Sequence, residues 1–235
     1  MQLSPREAVK LAAIFDKKLN KAPQEIIVCP DFLALGAVAA VIKKSHLRLG
    51  AQDCAPASQG AYTGEVSPVS LRATGAKYVI IGHSERREYC HEDGALIRAK
   101  IIVALENGLT PILCIGESAI EKTSGQTQAV LKKQLSEALK GLKIKSPRQL
   151  LIAYEPIWAI SSHRGARALS PEETNDIQYF IKICAAKLTG KEPAVLYGGS
   201  VNSVNAAGFL AQENIDGLLI GGASLNLAEM QKICR

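Results

Sequence analysis

The segment Leu151-Ile-Ala-Tyr-Glu-Pro-Ile-Trp-Ala-Ile160 decides how the rest of the chain is read. Its first four residues are an apolar run with the length and character of a buried strand. Glu155 stands where that run ends. Pro156 has no N–H to continue a ladder and biases the residue before it toward extended geometry. Ser161 to Ser170 is small, polar and glycine-containing, and Pro171-Glu172-Glu173 opens a helix. A carboxylate is thereby placed at the C-terminal end of a strand, followed by a loop long enough to close over it. A lone glutamate there is ordinarily a solvated cap, so its meaning depends on what other strands bring to the same end.

Outward from this segment, short apolar runs alternate with helical patterns. Ser4 caps a helix that has Pro5 in its first turn and runs to about Leu19. Strands are expected at Glu25–Cys29, Leu47–Ala51, Tyr78–Ile81, Thr110–Cys114, Ala194–Tyr197 and Gly217–Ile220, besides the opening segment. Further helices are expected at Leu33–Lys44, Val69–Thr74, Gly94–Asn107, Gln126–Lys140, Pro171–Leu188, Asn202–Ala211 and Leu225–Ile233, with a loop from Asp53 to Glu65. This alternation predicts an α/β fold with a parallel sheet covered by helices. The first element is a helix with no strand before it. No linker or shift in composition divides residues 1–235, which read as one domain.

Composition excludes several classes. No apolar run reaches the ~18 residues of a membrane helix, and the N-terminus has no signal-peptide core. The six cysteines are scattered without a Cys-x-x-Cys pair, which reads as reduced thiols in a cytoplasmic protein with no metal site. The net charge of +6 suggests nucleic acid, but aromatics are only 5% and no basic–aromatic interleave occurs. Lys140 to Arg148 reads as a solvated face, and a mild positive field suits a small anionic substrate.

Three other strand ends carry chemistry. Gly82-His83-Ser84-Glu85-Arg86-Arg87 follows Tyr78–Ile81, Tyr197-Gly-Gly-Ser200-Val201 precedes a helix, and so does Gly221-Gly222-Ala223-Ser224. Glycine pairs opening helices let backbone N–H groups approach an anion, and a phosphate site after the last two strands is a recurrent barrel arrangement. A carboxylate, an imidazole and a phosphate cradle on one face describe proton abstraction next to a carbonyl in a phosphorylated substrate. A helix N-terminus close to His83 disfavours imidazolium, so a neutral ring is expected.

The segments Ile80–Arg87, Ala153–Ile160, Tyr197–Val201 and Asp216–Ser224 resemble the signature segments of the triosephosphate isomerase family. Ala61–Val66 and Pro111–Glu117 do as well, and the likeness runs from about Leu3 to the C-terminus in the family's order. The resemblance implies a TIM (β/α)8 barrel that interconverts dihydroxyacetone phosphate and glyceraldehyde 3-phosphate. It implies Glu155 as the base and neutral His83 as the polarising group; that division of labour is the family's known pattern, not something read from these residues. It implies phosphate held by main-chain N–H groups around Ser200, Gly221 and Gly222, with Ile160 and Ser161 at the lid, and supporting roles for Ser84, Glu85, Arg86 and Tyr197. The lid, Ser161–Ser170, excludes water on closing. No cofactor is implied. Tyr62, Thr63 and Glu65 resemble a loop tip that inserts into a partner subunit, which implies a homodimer.

Two departures stand out. The family's first strand ends in Asn-x-Lys, whose lysine is a catalytic cation, whereas Met1-Gln-Leu-Ser-Pro aligns just after it. Strand 1 is therefore missing from the chain as given, either because the start lies at an internal methionine or because the chain truly lacks it. In the second case the expectation is a catalytically impaired, phosphate-binding barrel. The other departure is a lid of ten residues where the family has about seven; it retains only Gly165 and adds His163, Arg164 and Arg167.

Overall fold

The computed structural model describes residues 2–159 and 169–235. Seven parallel strands lie side by side in sequence order: β1 (Ile27–Val28), β2 (Arg48–Ala51), β3 (Tyr78–Ile81), β4 (Thr110–Ile115), β5 (Leu151–Tyr154), β6 (Ala194–Tyr197) and β7 (Gly217–Leu218). The helices are α1 (Pro5–Lys18), α2 (Phe32–Ile42), α3 (Pro68–Thr74), α4 (Ser84–Tyr89), α5 (Gly94–Glu106), α6 (Ala119–Thr123), α7 (Thr127–Leu139), α8 (Pro171–Thr189), α9 (Ala206–Leu210) and α10 (Leu227–Ile233). Each crossover returns the chain to start the next parallel strand beside the last.

Local sequence accounts for most helix ends. Ser4 with Glu7, Ser118 with Glu121 and Ser170 with Glu173 form capping boxes, each satisfying two otherwise orphaned backbone N–H groups. Asp31 and Asp93 cap α2 and α5 through single side-chain acceptors. Two starts differ from expectation. The helix expected from Asn202 begins at Ala206, because the Asn202 side chain accepts from the N–H groups of Val204 and Asn205 and holds a turn there. The last helix begins at Leu227 because Gly222–Leu225 forms a 3-10 turn and the Asn226 side chain then caps α10. Helices α4 and α6 are short and mostly polar, with no apolar periodicity to announce them.

Period-two alternation divides the apolar side chains into two layers. Ile112, Cys114 and Ala153 form an inner cluster, with Tyr78, Ile80, Leu151, Leu196 and Leu219 against it. Val79, Ile81, Leu113, Ile115, Ile152, Tyr154, Val195 and Tyr197 belong to the larger layer under the helices. Strands β2, β4 and β5 are mostly buried and β3 and β6 alternate buried with half-buried residues, whereas both residues of β1 and of β7 are only half-buried. Among the described residues each of these two strands pairs with one neighbour and not with the other. The paired parts of Glu25–Cys29 and Gly217–Ile220 are two residues each, shorter than the runs suggest, because the outer edge of each lacks a ladder.

Candidate active site

The inward parity of β5, Leu151 then Ala153, continues one residue past the strand to Glu155. Pairing carries on there as well, since Glu155 N–H donates to Ile115 O at 2.7 Å and Gly198 N–H to Tyr154 O at 2.8 Å. Glu155 is therefore held at the mouth of the barrel with its side chain directed inward, and it is 3% exposed. Two glycines make the space. A Cβ on Gly116 would lie 1.8 Å from Glu155 O, and one on Gly198 would lie 2.7 Å from Glu155 Cγ. Neither position admits a side chain without displacing the glutamate.

His83 reaches the same point from β3. After Ile81, Gly82 takes φ +72, a conformation glycine adopts freely, and His83 becomes the N-cap of α4. Its Nδ1 accepts from Glu85 N–H at 3.3 Å. In the neutral ring the proton then sits on Nε2, which lies 3.2 Å from Glu155 Oε1. Burial disfavours imidazolium, but the hydrogen bond and charge of Glu155, with a contribution from Glu85, outweigh it and raise the His83 pKa from its ordinary value. This direction opposes the neutral ring expected from the helix end alone. The other Glu155 oxygen, Oε2, is buried with no hydrogen-bond partner among the described residues. Cys114 faces Glu155 from the inner surface of β4, and burial, then the Glu155 charge, raises its thiol pKa far above the ordinary value.

The residues expected to support the site divide in two. Ser84 is buried and lines a narrow cavity with Glu155, Gly82 and Cys114. Glu85 contributes its backbone N–H to His83, while its exposed carboxylate stays 3.8 Å from Nδ1. Arg86 turns away, bonding Glu92 Oε1 at 2.7 Å and Asp53 Oδ2 at 2.9 Å. Tyr197 faces the helices, stacks on Phe209 at 4.3 Å and accepts from Leu169 N–H at 3.4 Å. It therefore anchors the chain where the described residues resume after 168. Burial pushes the Tyr197 hydroxyl up to about 12.

Ser200 and the pair Gly221–Gly222 stand past the C-terminal ends of β6 and β7, the same end as Glu155 and His83. The glycines are exposed, and nothing lies within 4 Å of a Cβ placed on Gly222, so an anion can approach its backbone. Gly221–Gly222 opens a 3-10 turn directly, whereas Gly198–Gly199 is separated from α9 by a loop, so only the later pair opens a helical turn. Ile160 and Ser161, together with His163, Arg164 and Arg167, lie outside the described residues. Tyr62, Thr63 and Glu65 are exposed at the tip of the loop between β2 and α3. A residue given no role in the sequence reading is Glu117. Fully buried after β4, it accepts from Tyr154 OH at 3.1 Å and from Trp158 Nε1 at 3.1 Å, fixing both sides of Glu155. The polar residue ending the apolar run of β4 was the available signal.

Fold and site together define a parallel α/β barrel with a carboxylate and an imidazole meeting at the C-terminal mouth of its strands. The model of the triosephosphate isomerase family matches residues 1–235. A triosephosphate isomerase of Caldanaerobacter subterraneus is 42% identical over 237 residues, covering 99% of this chain and 94% of that one. That of Moorella thermoacetica is 40% identical over 236 residues, with the same two shares. The crystal structure of triosephosphate isomerase from Bartonella henselae superposes with a TM-score of 0.88 at 32% identity, covering 100% of this chain and 94% of that one. This chain belongs to the triosephosphate isomerase family, and its sheet is that of a TIM barrel.

Proposed function

We propose that the chain interconverts dihydroxyacetone phosphate and glyceraldehyde 3-phosphate, with Glu155 as the proton carrier and His83 as the group that polarises the carbonyl. The family match supports the reaction, and the 3.2 Å contact between Glu155 Oε1 and His83 Nε2 carries the assignment of residues. Glu155 removes a proton from C1 and returns it to C2, so the intermediate is an enediolate. Nε2–H of His83 donates to the oxygen on which charge develops, while Glu85 N–H holds Nδ1 unprotonated. Ser200, Gly221 and Gly222 offer backbone N–H groups to the phosphate.

A low-dielectric mouth lined by fixed dipoles strengthens these interactions. We read residues 1–235 as one domain, acting in the cytoplasm as a homodimer through the loop bearing Tyr62, Thr63 and Glu65. No helix among the described residues is long and apolar enough to cross a membrane. The test is a coupled assay with dihydroxyacetone phosphate on the chain and on Glu155→Ala. General bases contribute about 10²–10⁴ in rate, so the variant should lose at least that, while affinity for a phosphate ligand changes by less than about tenfold. Near-normal turnover in Glu155→Ala ends the assignment of the base.

A further inference from the structure

Arg87 is partly buried on α4, and its guanidinium turns into the barrel. Its Nε donates to Gly82 O at 2.7 Å and its Nη2 to Cys114 O at 2.9 Å, joining the ends of β3 and β4. Gly82 makes room for it, since a Cβ there would lie 3.0 Å from Arg87 Nη2. Among the described residues no carboxylate lies within ion-pair distance of Arg87, whereas its neighbour Arg86 takes two. Carbonyl oxygens satisfy its N–H groups without cancelling its charge. A cation drawn inward without a counterion is costly, and burial lowers the Arg87 pKa from its ordinary value. The charge is directed at one place: Arg87, Glu155, Cys114, Gly82 and Ser84 line the same narrow cavity.

We propose that Arg87 is a positioning residue whose charge, held between the ends of β3 and β4, acts on the Glu155 carboxyl inside the barrel mouth. The role rests on Glu155 being the base. Among the described residues the groups facing Glu155 are His83 from the exit of β3, Cys114 from β4 and Arg87 from α4; the β6 side presents Gly198, which has no charge. Around Arg87 the other charges are Glu137 and Glu92, at longer range than ion pairing. His83 is needed to donate to substrate, and the Cys114 thiol stays protonated. Among the described residues Arg87 is therefore the permanently charged cation that shares the cavity with Glu155.

The test compares Arg87→Lys, which keeps the charge, with Arg87→Gln, which keeps a donor but no charge. Loss of an opposite charge near a carboxylate raises its pKa by about one unit or more. The acid limb of the pH profile of kcat/KM should therefore move up by about one pH unit in the Gln variant and stay in place in the Lys variant. A 13C NMR titration of the Glu155 carboxyl should move with it. A purely structural role predicts lower melting temperature and turnover in both variants with the acid limb and carboxyl titration unmoved, and that result overturns the proposal. If the carboxyl titration moves but the rate profile does not, the role of Arg87 stands and the assignment of Glu155 as base fails. A reciprocal reading needs no change at residue 87: Glu155→Gln should shift the 15Nε resonance of Arg87, and an unmoved resonance refutes the coupling.

Discussion

His83 carries two opposed influences in a few ångströms. Glu85 N–H donates to Nδ1, which a doubly protonated ring cannot accept, while the Glu155 carboxylate faces Nε2 and favours the charged form. The net direction is upward. A raised folded value means that the imidazolium contributes stability fully present below about pH 6.5, lost as pH rises through the folded value. Replacing the carboxylate should reverse the balance. In Glu155→Gln, burial acts against Glu85 alone, whose side chain is exposed and screened. The His83 pKa is then expected to fall, as tracked by NMR titration of its ring protons. An unchanged His83 titration in that variant means that Glu155 is not the group setting it. Both residues were legible in the sequence because each is a titratable group directly following an apolar run. Their 3.2 Å contact was not, since β3 and β5 are separated by some seventy residues and meet only through β4.

At the scale of elements, the mouth is stiffened by charges that the reaction does not use. Lys100 on α5 is 1% exposed and donates to Asp53 Oδ1 at 2.9 Å and Oδ2 at 2.7 Å, and to Glu92. Arg86 on α4 bonds the same two carboxylates. This cluster ties the exit of β2 to α4, the helix that carries His83 as its cap, and to α5. It explains how a six-residue polar helix persists: few apolar contacts hold it, but its Arg86 bonds two buried carboxylates. Removing one member of a buried charge group strands the rest, at a cost of about 3–5 kcal/mol. Lys100→Met should therefore lower the melting temperature by roughly 10 °C, at ~2–4 °C per kcal/mol for a chain of this size. Calorimetry checks this, and a drop of only a degree or two would show that water or relaxation satisfies Asp53 and Glu92. Sequence alone showed these residues as isolated charges, because their spacing in the chain has no bearing on their meeting in space.

At the scale of the whole molecule, the two unpaired sheet edges among the described residues are the outer sides of β1 and β7. Their outer backbone groups have no ladder among the described residues, and the strands are half-exposed. At the base of this region a cavity of about 320 Å³ is lined by Lys18, Leu19, Ala22, Pro23, Gln231, Cys234 and others, between the ends of α1 and α10. Unpaired edges are templates for further pairing, and a closed barrel has none. A strand joined ahead of α1 would run parallel to β1 and fill the seam between β1 and β7, because α1 is the crossover that would come after it. Extending the chain with an apolar strand ending in Asn-x-Lys, the pattern the family resemblance implies, should raise both thermal stability and isomerase rate. The same extension with methionine for the lysine should raise stability but leave the rate lower by about 10²–10³, the scale of a lost oxyanion donor. If the 235-residue chain already matches the extended one in rate and melting temperature, the seam is closed in solution without an added strand.

The sequence by itself determined the order of the strands and of the longer helices, the parallel α/β class and the family, because these derive from local periodicity, caps and contiguous motifs. All seven strands lie within or beside the expected apolar runs, and Tyr78–Ile81 and Ala194–Tyr197 have the expected boundaries. Tertiary structure alone decided which side chains meet. The inward parity of Glu155, the clearance at Gly116 and Gly198, the clamp of Glu117 on Tyr154 and Trp158, and the contrast between Arg86 and Arg87 all depend on strands brought together from distant parts of the chain. Adjacent arginines differ in role because successive residues on a helix point about 100° apart. One meets Asp53 and Glu92 outside the barrel mouth, and the other meets two carbonyls beneath the glutamate.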